Sequence, residues 1–138
     1  LIGVFPSVEE IVEWQWDLQR LKRVSYPWQS NIWISSGHDE PGAERVRAQV
    51  FQHALQQALT GSLAWLRRLH RSHAPERGPY AICMHREDAV TVSNTEILVK
   101  GGQGTMRYIA GAPCEGQPGK ELSLKMQNRR PSLERAAV

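Results

Sequence analysis

His70-Arg-Ser-His-Ala-Pro-Glu-Arg-Gly-Pro-Tyr-Ala-Ile-Cys-Met-His-Arg-Glu-Asp-Ala-Val-Thr-Val-Ser-Asn-Thr-Glu-Ile97 is the joint of this chain. A helical pattern ends in it, Pro75 and Gly78-Pro79 reverse the backbone, and strand-like runs begin. Tyr80 to His85 reads as a strand with Tyr80, Ile82 and Met84 on one face. Arg86-Glu87-Asp88 reads as a turn, and Ala89 to Lys100 as a long alternating strand. Gly101, Gly102 and Gly104 allow the positive φ of a tight hairpin, which Thr105 to Ala110 completes. Gly111 and Pro113 stop that strand. Leu122 to Lys125 can add an edge strand, and residues 117–138 read as a polar, mobile tail beyond a domain of 1–116.

Upstream of the joint the apolar period is that of a helix. Ala43, Val46, Val50, Phe51, Ala54, Leu55, Ala58 and Leu59 form one stripe, with Glu44, Arg45, Gln49, Gln52 and Gln56 outside it. Thr60-Gly61-Ser62 interrupts the stripe, and Ser62 can cap a shorter helix carrying Leu63, Leu66 and Leu69. The first third alternates instead. Leu1 to Phe5 reads as a buried strand. Val12, Trp14, Trp16 and Leu18 face away from Glu13, Gln15 and Asp17. A turn at Asp17 to Gln19 leads into a partner strand from Gln19 to Tyr26, and Asn31 to Ser35 reads as one more. Four of the five Trp residues precede residue 34 and imply an aromatic core face. Strands, then helices, then strands favour an antiparallel α+β fold over a parallel one.

The bulk properties exclude several classes. With 138 residues the chain has room for one core. Its 41% hydrophobic and 22% charged content is that of a globular domain. No apolar run nears the roughly 18 residues of a membrane span. The net charge of +3 comes from small basic groups separated by acids, with no nucleic-acid motif, so neither nucleic acid nor membrane is expected as a partner. The start has neither signal-peptide pattern nor initiator Met, which points to a beginning inside a longer protein and to the cytoplasm. Cys83 and Cys114 are far apart and not a C-x-x-C pair, as in a reduced protein.

Several side chains invite chemistry. His38-Asp39-Glu40, His70-x-x-His73 and His85 are metal-type ligands, and His70 and His73 could share a helix face. Without paired Cys or H-E-x-x-H spacing, the expectation is a solvated helix end and no metal or other cofactor. Ser35 and Ser36, in a loop before a helix, expose hydroxyls and amides suited to an oxyanion. Arg86, in the turn with Glu87 and Asp88, or Arg45 and Arg47 on the first turn of the main helix, could hold a substrate carboxylate. No G-x-S-x-G elbow is present, so no hydrolase serine is expected.

His-Arg-Ser-His-Ala-Pro-Glu-Arg-Gly-Pro-Tyr, Cys-Met-His-Arg-Glu-Asp-Ala-x-Thr-Val-Ser and Arg-Tyr-x-x-Gly-x-Pro-Cys resemble the C-terminal half of the NRDE family, relatives of transport and Golgi organisation protein 2. Trp-x-Ser-Ser-Gly followed by an Arg-bearing helix fits the same resemblance. It implies half of an αββα sandwich like that of N-terminal-nucleophile hydrolases. The parent would then be a cysteine-type amide hydrolase or acyl transferase on a small amide or acyl substrate. The catalytic Cys and the Asn-Arg-Asp-Glu segment of that family are not in this chain, so it is expected to hold no catalytic residue. Ser35, Ser36, Arg45, Arg47, Arg86 and Asp88 would shape the pocket. The partner would be the N-terminal half or a second copy. The alternative is a non-catalytic module for a lipid, acyl or haem ligand, with His38, His53, His70 and His85 as histidines in reach, or a protein without activity of its own.

Overall fold

The computed structural model describes residues 1–126 of the chain. It holds two three-stranded antiparallel sheets and two helices, an α+β fold. The chain divides into two compact units at Leu66 and Arg67, where the sequence reading expects one domain over 1–116.

The first unit opens with β1 (Ile2–Phe5), β2 (Glu10–Trp16) and β3 (Leu21–Tyr26), paired in that order. Ile11 and Val12 are the buried positions of β2, so burial falls on neighbours rather than on strict alternation. The expected turn is present: the Asp17 carboxylate accepts from the amides of Gln19 and Arg20 at 2.9 and 2.7 Å. Trp14 lies over Gly3, where a Cβ would come within 2.7 Å of its ring, and meets Phe5 edge-on at 6.3 Å. The edge strand β1 is not buried, contrary to expectation, and Asn31 to Ser35 forms no strand. Trp33 instead caps Tyr26 edge-on at 5.4 Å.

Helix α1 (Glu40–Leu55) starts earlier than its apolar stripe, because Asp39 caps it by accepting from the Gly42 amide at 3.0 Å and Pro41 fits its first turn. It ends before Ala58 and Leu59, and Leu59 lies at positive φ in the connection. Helix α2 (Leu63–His70) is capped by Ser62, whose hydroxyl accepts from the Trp65 amide at 3.1 Å. Its buried side chains are Trp65 and Leu69, not Leu63 and Leu66. Trp65 packs on Phe51 at 6.1 Å and donates from Nε1 to the Ala54 carbonyl at 2.8 Å. The aromatic core is thus carried by this later Trp; the four early ones are not fully buried.

The second unit contains β4 (Ser93–Lys100), β5 (Gln103–Ala110) and β6 (Pro118–Lys125). Gly101 and Gly102, both at positive φ, form the two-residue hairpin turn. The edge strand begins at Pro118, inside the segment expected to be tail, and the expected mobile stretch of 127–138 lies outside the described residues. On one face of this sheet Ile97, Met106, Leu122 and Leu124 are exposed. On the other, Glu96 is buried and held by Arg67 of α2, with Nε 2.9 and 3.0 Å from its two oxygens and Nη2 at 2.7 Å. Among the described residues no helix is long and apolar enough to cross a membrane.

The Arg67 hydrogen bonds hold the Glu96 carboxyl below its ordinary range, against the opposing pull of burial. A carboxyl with a lowered folded-state pKa stabilises the fold fully above its unfolded value of about 4.3 and loses that contribution as pH falls through the lower folded value. Glu96→Gln is therefore expected to flatten the acid side of the stability profile below about pH 4.3, measured by denaturant midpoints across pH. An acid limb as steep as that of the unsubstituted chain would contradict it.

Candidate metal centre

Tyr80 to His85, expected to be a strand, forms none; only the single bridge between His85 and Val90 remains. Its backbone hydrogen bonds go elsewhere. The Cys83 amide donates to the Ser72 carbonyl at 3.0 Å, and the His85 amide to the Gly78 carbonyl at 3.2 Å. The first of these pins the segment after the Gly-Pro turn to the end of α2, next to His73. Cys83 and His85, two residues apart, both reach the same cluster.

The fourth member arrives from the far end of the hairpin. Gly111, at φ 84, turns the chain out of β5. The Ala112 carbonyl then accepts from the amides of Glu115 and Gly116, closing a tight turn around Cys114. A Cβ on Gly116 would lie 2.6 Å from the Ala110 carbonyl oxygen, so only glycine lets this turn close. Arg71 ties the turn to α2 by donating from Nε to the Pro113 carbonyl at 3.0 Å.

His73, Cys83, His85 and Cys114 each offer one ligand atom, and all four atoms lie within 4.8 Å of one another. His85 Nε2 is 3.4 Å from Cys114 Sγ and 3.7 Å from Cys83 Sγ. A zinc ion with bonds of about 2.3 Å to sulfur and 2.0–2.1 Å to nitrogen, at tetrahedral angles, places such atoms about 3.5 Å apart. The two observed distances bracket that value. His73 Nε2 is buried without a hydrogen-bond partner among the described residues, an arrangement that costs free energy unless something binds the nitrogen. The His73 and His85 rings meet edge-on at 5.0 Å.

Two of the four ligands have shifted proton affinities. Burial, then the charges of Arg77 and His73, push the His85 pKa down, which keeps its nitrogen lone pair free. Burial pushes the Cys83 thiol up, and both cysteines are free. A bound dication reverses that penalty by stabilising the thiolate. One contact has to change on binding. Arg77 Nη2 lies 3.2 Å from His85 Nδ1 and can only donate to it. A metal on Nε2 leaves the proton on Nδ1, so Arg77 must release the ring and keep its ion pair with Glu115, at 3.2 Å.

The residues singled out from the sequence as a substrate site are not drawn into this cluster. Within the first unit Arg47 donates to the Ser35 carbonyl at 3.3 Å, and the Ser36 hydroxyl accepts from the His38 amide at 3.4 Å. Because α1 starts at Glu40, Arg45 stands exposed on its second turn rather than its first. Within the second unit Arg86 pairs with its own exposed neighbour Asp88: Nη2 donates to Oδ2 at 3.3 Å, while the buried Nε, 3.1 Å from Oδ1, has no hydrogen-bond partner among the described residues. His70 and His73 do not share a helix face, since α2 ends at His70.

Comparison with protein-family models, with curated proteins and with solved structures found no match to this chain.

Proposed function

We propose that the segment from Arg67 onward is a zinc-binding unit, with His73, Cys83, His85 and Cys114 as the four ligands of a structural ion. The observation that carries this reading is the convergence of four donor atoms within 4.8 Å from three separate stretches of chain. Two thiolates and two imidazoles are the soft and borderline set that favours zinc over calcium or magnesium. Four protein ligands leave no position for water or substrate, the pattern of a structural rather than a catalytic ion. The ion would tie the end of α2, the loop before β4 and the turn after β5 into one knot. A reducing compartment such as the cytoplasm keeps Cys83 and Cys114 available as ligands. Purified chain is expected to carry one zinc per molecule by elemental mass spectrometry, and Cys114→Ser to carry less than a tenth of that. Equal zinc in both, or none in the unsubstituted chain, would overturn the reading.

The resemblance to the NRDE family supports a second, compatible reading. All four proposed ligands fall within the segments that carry it. The α+β order and the exposed apolar face at Ile97, Met106, Leu122 and Leu124 suit a sheet that another layer covers, as in an αββα sandwich. In that reading the chain contributes pocket walls to a hydrolase-like or ligand-binding parent and no nucleophile. An N-terminal half or a second copy would supply the covering layer.

A further inference from the structure

A cleft of about 190 Å³ lies in the second unit, on the Glu96 side of the sheet, lined by Arg67, His70, Arg71, Asn94, Arg107 and Ile109 among others. Its charges are unevenly paired. Arg67 is consumed by Glu96, and Arg107 is held by Glu121 at 2.7 Å from outside the lining. Arg71 donates only its Nε, to the Pro113 carbonyl, and has no carboxylate partner among the described residues. Its two terminal amino groups remain for a ligand, with the Asn94 amide and the His70 ring on the same cleft. Ile109, Pro113 and Pro118 supply an apolar wall.

We propose that this cleft binds a small organic acid, its carboxylate on the terminal amino groups of Arg71 and on the Arg107 donors that the single Nη2 bond to Glu121 leaves, and its short apolar body against Ile109, Pro113 and Pro118. A guanidinium presents two parallel N–H donors that match a carboxylate, and it stays charged at all relevant pH. The size fits: a cavity of about 150 Å³ holds one benzene ring, and this cleft exceeds it by little more than a carboxylate. Glu96 does not repel the anion strongly, because its charge is neutralised by three hydrogen bonds from Arg67. The cleft shares Arg71 and Pro113 with the support of the Cys114 turn, so every titration is run at one measured zinc content, which keeps a failure of this site distinguishable from a failure of the zinc reading.

Benzoate and its neutral isostere benzamide are the probes, titrated into the full chain and followed by calorimetry and by the amide signals of Asn94 and Ile109. The expected result is millimolar or tighter benzoate binding, at least tenfold weaker benzamide binding, and weaker benzoate binding as salt is raised. Arg71→Gln is expected to weaken benzoate at least tenfold. Should that variant fold poorly, Arg107→Gln, which breaks only an exposed ion pair, is expected to weaken it at least threefold. Inorganic phosphate that competes with benzoate supports the same anion site. Equal binding of benzoate and benzamide, no benzoate binding at 20-fold excess over about 1 mM, or full affinity in a folded Arg71 or Arg107 variant would overturn the proposal.

Discussion

Chelating the metal is expected to lower the melting temperature of the β4–β5 hairpin and its flanking turns by about 15–30 °C. A ligand present at a thousandfold over its dissociation constant stabilises the folded state by about 4 kcal/mol, and 1 kcal/mol moves the midpoint of a domain of 60–100 residues by about 4–8 °C. The effect is large because few bonds hold the turns that flank the hairpin. Cys83 is tied by one backbone bond to Ser72, and the Cys114 turn by the bond from Arg71 to the Pro113 carbonyl and the exposed Arg77–Glu115 ion pair. The amide signals of residues 93–110 followed on heating, with and without chelator, give the measurement. Cys114→Ser without chelator should reproduce the loss, and added zinc should rescue the chelated chain but not the variant. A midpoint that does not move on chelation would mean that these side chains pack as an ordinary polar cluster.

The second large effect belongs to the first unit. Trp65→Ala is expected to destabilise it by about 3–5 kcal/mol, the range for emptying a buried Trp site. Trp65 is 3% exposed, lies against Phe51, and is its only buried Trp. The hydrogen bond is the smaller part. The Ala54 carbonyl also accepts from the Gln57 amide at 3.1 Å, so it is not orphaned when the indole goes. Trp65→Phe, which keeps most of the ring, should therefore cost only about 1–2 kcal/mol more than nothing, the worth of one hydrogen bond and some packing. Denaturant midpoints of the two variants make the comparison; equal losses would place the energy in the hydrogen bond instead.

How legible this was in the sequence differs from element to element. The hairpins at Asp17 and Gly101-Gly102 and the two helices follow from local chemistry: an Asx turn, paired glycines, and Ser and Asp caps. Tyr80 to His85 misled because Tyr80, Ile82 and Met84 alternate like a strand, yet the amides of Ala81, Cys83 and His85 donate to the carbonyls of Gly78 and Ser72 in the loop after the helix. The early Trp residues misled because β2 has partners on both edges but no fully buried aromatic face. The metal-type cluster was half visible. Cys83-x-His85 stands before β4 and Cys114 stands after β5, and a hairpin closing at Gly101-Gly102 returns its two ends to each other, with Ser93 opposite Ala110. Adding that register to the ligand inventory would have brought Cys114 near His85. Pairing His73 with His70 on one helix face instead led away from it, since the helix stops between them. The Arg71 cleft had no sequence signal, because which arginine lacks a carboxylate is decided only when Glu96 and Glu121 choose their partners.

X-ray absorption at the zinc edge of the purified chain tests the central claim most directly. The account predicts a first shell of two sulfur atoms at about 2.3 Å and two nitrogen atoms at about 2.0–2.1 Å. A shell of oxygen and nitrogen alone, with no sulfur, would show that zinc, if present, sits elsewhere and that Cys83 and Cys114 do not hold it.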